Sequence, residues 1–247
     1  MDPVCFTVFG KPIYWYGVLF ALSFMACATH WNILGRREGR PPHFGSDLAL
    51  VIMIAGIVGA RLGYVLANFG EYAAHPGEIL RIDRGGLIFY GGFILSSLAA
   101  LAWAWRRGEG IAPFADFVIT AIPLGHAFGR VGCFINGCCY GKPWDGPFAV
   151  FTAGAMRHPV QLYETAFNVL LYLAMLVLYL RKKRAGTVLA LSLVLYGAWR
   201  FAIEFLRGDE RLHWVGLDVA QEISIALIGA GLLLFLFLPP RKEHARA

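Results

Sequence analysis

The sequence predicts an all-α integral membrane protein built on seven transmembrane helices, and three observations predict it. Of its 247 residues, 58% are hydrophobic and only 15% are charged, where a soluble domain carries about 25% charged residues. Apolar runs of about 20 residues, the length that spans a bilayer, recur seven times. Lysine and arginine gather in alternate loops, as they do in multi-pass chains. This composition excludes a soluble globular enzyme, a disordered tail and a coiled coil. The net charge of +6 does not point to nucleic acid, because no basic stripe interleaved with aromatics occurs.

The expected spans are 13–34, 47–69, 85–105, 113–137, 160–180, 186–206 and 215–238, and their connectors are too short for a soluble domain. Residues 1–247 therefore read as a single polytopic membrane domain. No positively charged segment precedes the first span, and its apolar run exceeds a signal-peptide core, so it reads as a retained helix. His30 and Asn32 fall near its inner end. The second span carries Arg61 inside Gly59-x-x-x-Gly63, a small-residue pattern that lets helices approach closely. The third opens on Gly85-Gly86 and Gly91-Gly92 around Leu87–Tyr90. Irregular backbone of that kind is tolerated at membrane depth only where it lines a cavity or is buried in protein. The fourth holds Gly125-x-x-x-Gly129, His126 and Arg130, with Asp116 expected in its first turn, where an acid complements the helix dipole.

Orientation follows from the basic residues. Arg36, Arg37, Arg40, Arg106, Arg107, the run Arg181-Lys182-Lys183-Arg184, Arg241, Lys242 and Arg246 fall on one side, 12 of the 22 basic residues. Lys11, Arg81, Arg84, Lys142, Arg157, Arg207 and Arg211 fall on the other, diluted by Asp2, Glu71, Glu78, Asp83, Asp145, Asp209 and Glu210. The positive-inside rule places the N-terminus outside and the C-terminus in the cytoplasm.

Arg61, Arg130 and Arg200 lie within spans. An arginine inside a bilayer costs at least about 2.5–3.5 kcal/mol on insertion scales, so it faces a cavity or a partner. With this orientation all three fall in the outer half of the membrane. Glu204 stands one helical turn beyond Arg200 on the same face. Tyr16, Tyr90, Gln161, Tyr163, Glu164 and Glu222 start inward-running spans at the same depth, and Asn136 ends the fourth. Each arginine taken alone reads equally as an interfacial or structurally paired residue, with Glu164 or Glu222 as the partner of Arg61. Together they make a phosphate clamp, since the guanidinium fork matches phosphate oxygens. A phosphate at that depth belongs to a lipid headgroup.

Several blocks are similar to a known family. Gly129-Arg130-Val131-Gly132-Cys133-Phe134-Ile135-Asn136-Gly137 resembles the signature of prolipoprotein diacylglyceryl transferases. Trp15-Tyr16-Gly17, Gly59-Ala60-Arg61-Leu62-Gly63-Tyr64, the double-glycine segment from Gly85 to Gly92, His158-Pro159-Val160-Gln161-Leu162-Tyr163-Glu164 and the run from Tyr196 to Phe205 resemble its other blocks, in order. The resemblance implies a multi-pass enzyme of the bacterial inner membrane with its site toward the periplasm. Such an enzyme moves the diacylglyceryl group of phosphatidylglycerol to the lipobox cysteine of a prolipoprotein signal peptide. A thioether forms and glycerol phosphate leaves, with no cofactor and no metal. It implies catalytic roles for Arg130, Arg200, Tyr90, Asn136 and Glu204, and substrate contacts by Tyr16, Arg61, Cys133, Gly141, Gln161, Glu164 and Tyr196.

Three positions depart from the family's best-known members, which carry histidine at Tyr90, asparagine at Cys133 and an acid at Cys138. The general base is then open. An ordinary tyrosine is costlier to ionise at neutral pH than an ordinary thiol, so Tyr90 is expected to orient substrate while the local field, with His158, handles the proton. Cys5 and Cys27 read as incidental. Cys133, Cys138 and Cys139 read as a disulfide or as packing, and their spacing is not a zinc pattern. A part for Cys138 or Cys139 in the transfer also stays open. Two other functions fit the same residues: a phospholipid- or anion-binding transporter, against which no inverted repeat appears, and a thiol-redox membrane protein.

Overall fold

The apolar stretches become helices whose ends are set by local chemistry rather than by hydropathy alone. The structure, a computed structural model, describes residues 2–82, 85–209, 213–214 and 216–238. The charges expected at Asp83, Arg84, Glu210, Arg211, Arg241, Lys242 and Arg246 lie outside the described residues. In chain order the elements are β1 (Val4–Val8), β2 (Lys11–Tyr14), α1 (Trp15–Arg37), α2 (Phe44–Ala67), α3 (Phe69–Ala74), a 3₁₀ turn (Pro76–Leu80), α4 (Phe89–Arg106), α5 (Ile111–Ile119) and α6 (Ile122–Ile135). They continue with β3 (Val150–Thr152), β4 (Ala155–Arg157), α7 (Val160–Arg181), α8 (Thr187–Glu204), β5 (His213–Trp214), β6 (Leu217–Asp218) and α9 (Val219–Leu236).

Among the described residues, six helical stretches are long and apolar enough to cross a membrane: Trp15–Arg37, Phe44–Ala67, Ile111–Ile135, Val160–Arg181, Thr187–Glu204 and Val219–Leu236. The third expected span forms α4, 18 residues long. Its glycines, two tryptophans and terminal Arg106 leave it less apolar than those six. The fourth expected span is broken into α5 and α6 around Thr120 and Ala121. Pro123 lies at the start of α6, a position where the missing N–H costs no helical bond. Among the described residues, three two-stranded antiparallel hairpins, β1–β2, β3–β4 and β5–β6, were not expected. Two of them turn on residue pairs with positive φ, Phe9 (47°) with Gly10 (78°) and Ala153 (47°) with Gly154 (78°), the conformation that matches strand twist in tight hairpins.

The chain divides into two compact units, residues 28–114 and residues 1–27 with 115–247. Within residues 28–114, α2 and α4 pack backbone to backbone. A Cβ on Gly59 would lie 2.4 Å from the Gly91 carbonyl oxygen, and one on Gly91 equally close to that of Gly59. The Gly59-x-x-x-Gly63 pattern therefore works as a packing face. Asn32, near the end of α1, accepts through Oδ1 from the Gly45 and Ser46 N–H groups at 2.8 and 3.1 Å, capping α2. Phe44 is buried edge-on to Trp103, ring centroids 4.6 Å apart.

Within residues 1–27 and 115–247, α6 packs on α7 and α8 on α9. Gly197 lets α9 approach, since a Cβ there would sit 2.9 Å from the Ser224 carbonyl oxygen. The core here includes Phe117, Val160, Leu171, Met175, Val188 and Ile203. Asp116 corrects the sequence expectation. It lies inside α5, which begins at Ile111, and serves the N-terminus of another helix. Its carboxylate accepts from the Gly186 and Leu189 N–H groups at 2.8 and 2.9 Å and from Lys182 Nζ at 3.1 Å. The dipole argument holds, but for α8.

Candidate active site

Buried charge in an apolar chain has to converge on opposite charge, and in this protein it converges on Glu164. That residue sits in the second turn of α7, with its side chain 1% exposed. Arg130, on α6, donates from Nη2 to Glu164 Oε1 at 2.9 Å. Arg200, on α8, brings Nη1 to 3.9 Å from the same oxygen and donates to Glu204 Oε2 at 2.5 Å. Arg207, just past α8, brings Nη1 to 3.6 Å from Glu164 Oε2. Its Nε and Nη2 form a two-pronged pair with Asp209 at 2.9 and 2.8 Å. Three guanidiniums thus face three carboxylates, which is the condition for holding such charge away from water. Arg130 Nε, Glu164 Oε2, Gln161 Oε1 and Arg207 Nη1 are buried without a hydrogen-bond partner among the described residues.

The placement of Arg207 depends on a narrow strip of backbone. Residues 140–142 are clasped on both edges. The Gly141 N–H donates to the His158 carbonyl at 3.1 Å, and the His158 N–H returns a bond to Lys142 at 3.1 Å. On the other edge Lys142 N–H donates to the Leu206 carbonyl at 2.8 Å, and Gly208 N–H to that of Tyr140 at 3.0 Å. Gly141 has no room for a side chain: a Cβ would meet the His158 oxygen at 2.5 Å and its Cβ at 2.6 Å. His158 is further held by stacking on Trp144 with centroids 4.6 Å apart, and its Nδ1 lies 3.4 Å from the Tyr163 hydroxyl.

Most of the expected residues gather in this unit. Tyr16, at the start of α1, lays its ring against Gly132 of α6. Gln161 is buried and donates to the Cys138 carbonyl at 2.7 Å. Asn136 caps the C-terminus of α6, its backbone N–H bonded to the Gly132 carbonyl at 3.0 Å. Tyr196 faces His126, ring centroids 5.6 Å apart. Asn168, one turn beyond Glu164, is buried and donates from Nδ2 to the Glu164 carbonyl at 2.7 Å. Glu164 pairs with these three arginines and not with Arg61.

Arg61 and Tyr90 belong to the unit of residues 28–114. Tyr90 stands in the first turn of α4 and is exposed. Arg61, expected as a substrate contact, clasps backbone carbonyls. Its Nε donates to Ile79, its Nη1 to Gly85 and Gly86, and its Nη2 to Glu78, all at carbonyl oxygens 2.7–3.1 Å away. Stacked between Tyr64 and Tyr72 as well, it spends its donors holding the segment before α4.

The sequence reading missed Arg207 and with it Asp209. The signal was slight: a basic residue directly after a span, followed by acids, is also what a solvated loop looks like.

The three clustered cysteines are free thiols, as are Cys5 and Cys27. The sulfurs of Cys133, Cys138 and Cys139 all lie within 4.8 Å of one another. Cys139 stands beside Cys133, Arg207 and Arg130, which together hold its thiol below the ordinary range. Burial and the Cys139 charge push Cys138 up. Among the described residues these three are the one group of ligand-type side chains spaced to hold a metal ion.

The family model described as prolipoprotein diacylglyceryl transferase matches residues 3–237. The chain belongs to the prolipoprotein diacylglyceryl transferase family. A member from Bordetella bronchiseptica, named phosphatidylglycerol–prolipoprotein diacylglyceryl transferase, is 38% identical over 98% of this chain and 98% of its own. Proteins of the same name from Clostridium tetani and Finegoldia magna are 32% and 35% identical, covering 95% of this chain and 97% and 94% of their own. Membership and the apolar helices together make this a multi-pass membrane protein.

Proposed function

We propose that this protein transfers the diacylglyceryl group of phosphatidylglycerol to the lipobox cysteine of prolipoproteins. The observation that carries the reading is the convergence of Arg130, Arg200 and Arg207 on Glu164, within a chain similar over nearly its whole length to enzymes of that name. In the transfer the substrate thiolate attacks the glyceryl carbon that bears the phosphate. The new C–S bond forms as the C–O bond breaks, the thiol proton is lost, and glycerol phosphate departs with the electron pair. Negative charge grows on the leaving phosphate, and guanidiniums already in place stabilise it without reorganising. The carboxylate pairs keep three cations together before lipid enters, and the headgroup competes with Glu164 for their forks.

In this reading Arg130, Arg200 and Glu204 act in the chemistry and Asn136 and Tyr90 orient the reacting groups. Tyr16, Cys133, Gly141, Gln161, Glu164 and Tyr196 shape the substrate site. The family resemblance supports α4 as a seventh span. Together with the distribution of basic residues it supports an external N-terminus, a cytoplasmic C-terminus, the bacterial inner membrane and a site toward the periplasm. The protein works without nucleic acid or cofactor, as a single polytopic membrane domain.

The test is direct: purified protein is incubated with phosphatidylglycerol vesicles and a lipobox peptide, and the peptide is weighed by mass spectrometry. A diacylglyceryl thioether is expected from the wild type and none from Arg130→Ala or Arg200→Ala. Transport of the lipid without a thioether, or turnover that survives loss of the arginines, would overturn the reading.

A further inference from the structure

The sequence spacing of Cys133, Cys138 and Cys139 argues against a metal site, but the backbone brings the three together in a way spacing does not reveal. Helix α6 ends two residues after Cys133, Gly137 turns at φ 69°, and the Cys138 N–H bonds back to the Cys133 carbonyl at 3.1 Å. Cys139 then adopts φ 62°, a left-handed conformation that a side chain resists and that survives only where the surroundings enforce it. Gln161, itself buried, anchors the Cys138 carbonyl. The result is three sulfurs within 4.8 Å of one another, each partly accessible to solvent.

We propose that Cys133, Cys138 and Cys139 form a three-thiolate site for a soft closed-shell cation, zinc or copper(I). The dimensions suit such an ion. Zinc–sulfur bonds of about 2.3 Å in a tetrahedron put sulfurs about 3.8 Å apart, so the cluster needs to contract by no more than about an ångström. Thiolates select thiophilic ions over magnesium or calcium. Three thiolates around a zinc ion carry one net negative charge, and around copper(I) two. Arg207 and Arg130 stand beside Cys139 and favour negative charge there. The site stands independently of the transferase reading.

The full-length protein, purified under a non-chelating reductant, is given zinc or copper(I) in separate arms, or cadmium as a spectroscopic probe, and then desalted. About one retained metal per chain is expected with either zinc or copper, along with thiolate-to-cadmium charge-transfer absorption. Bound zinc should shield Cys133, Cys138 and Cys139, but not Cys5, from maleimide. Cys138→Ser and Cys139→Ser should weaken binding by more than about tenfold, and Cys5→Ser should leave it unchanged. The proposal is overturned if the wild type retains no metal, if the three cysteines label equally fast with and without zinc, or if both serine variants bind as tightly. Where a serine variant does not fold, the labelling contrast in the wild-type protein decides alone.

Discussion

Glu164 Oε1 accepts a hydrogen bond from Arg130 Nη2 at 2.9 Å, and the same carboxylate faces Arg200 and Arg207 at 3.9 and 3.6 Å. One buried anion thus neutralises parts of three cations drawn from α6, α8 and the segment after α8. Removing one partner of a buried ion pair costs about 3–5 kcal/mol, because the other is left uncompensated. Glu164→Gln is therefore expected to lose roughly that much stability, measured by thermal unfolding in detergent. A double variant, Glu164→Gln with Arg207→Met, should recover part of the loss. Unchanged stability in the single variant would mean that the arginines find other partners.

Arg130 contributes geometry as well as charge. Lysine in its place keeps the charge and loses the planar fork that matches carboxylate and phosphate oxygens. Removing one donor from a preorganised anion site typically costs 10²–10³ in rate, and Arg130→Lys is expected to fall in about that range. Thioether formation against lipid concentration checks it, with the loss appearing in kcat more than in KM.

The hydroxyl of Tyr90 tests the assignment of the proton. If Tyr90 orients substrate, Tyr90→Phe should slow transfer by less than about tenfold; loss of a general base costs about 10²–10⁴. Single-turnover rates, measured with lipid binding monitored separately, distinguish the two. Abolished turnover with lipid still bound would make the hydroxyl the base.

Much of this site was legible because charge inside an apolar run is conspicuous. Arg130, Arg200, Glu164 and Glu204 could be picked out from the chain alone, together with their common depth. Arg207 could not. Its burial depends on hydrogen bonds between the 140–142 strip and residues 206–208, a pairing across more than sixty residues that no local pattern announces. Arg61 looked equivalent to Arg130, and only the carbonyls around its guanidinium show that it holds a loop. The hairpins were hidden for a different reason: strands of two to five residues disappear in a window sized for a membrane span.

Asp116 separates stability from chemistry. It lies fully buried, caps the N-terminus of α8 through Gly186 and Leu189, and pairs with Lys182. Hydrogen bonds to a charged group contribute about 1.5–3 kcal/mol, so Asp116→Ala should destabilise by at least about 2 kcal/mol. Activity per folded molecule should stay the same, since this residue holds the start of α8 while Arg200 and Glu204 stand near the other end. A drop in kcat without a fall in melting temperature would contradict this division.

Gly141 offers the sharpest contrast. The methyl group of alanine would lie 2.5 Å from the His158 carbonyl oxygen and 3.0 Å from Val160 Cγ1, so the 140–142 strip would have to move. That strip carries hydrogen bonds to both residue 158 and residues 206–208, and shifting it displaces Arg207 on one side and Cys139 on the other. Overpacking of this kind costs about 1–3 kcal/mol, and misplacing a catalytic group by an ångström costs about 10²-fold in rate. Gly141→Ala should therefore remain folded yet lose about two orders of magnitude in transfer. Gly129 is the control: nothing lies within 4 Å of a Cβ built there, and alanine favours a helix interior. Gly129→Ala should keep its activity and gain slightly in stability. Equal activity of the two variants would show that the strip does not position the site.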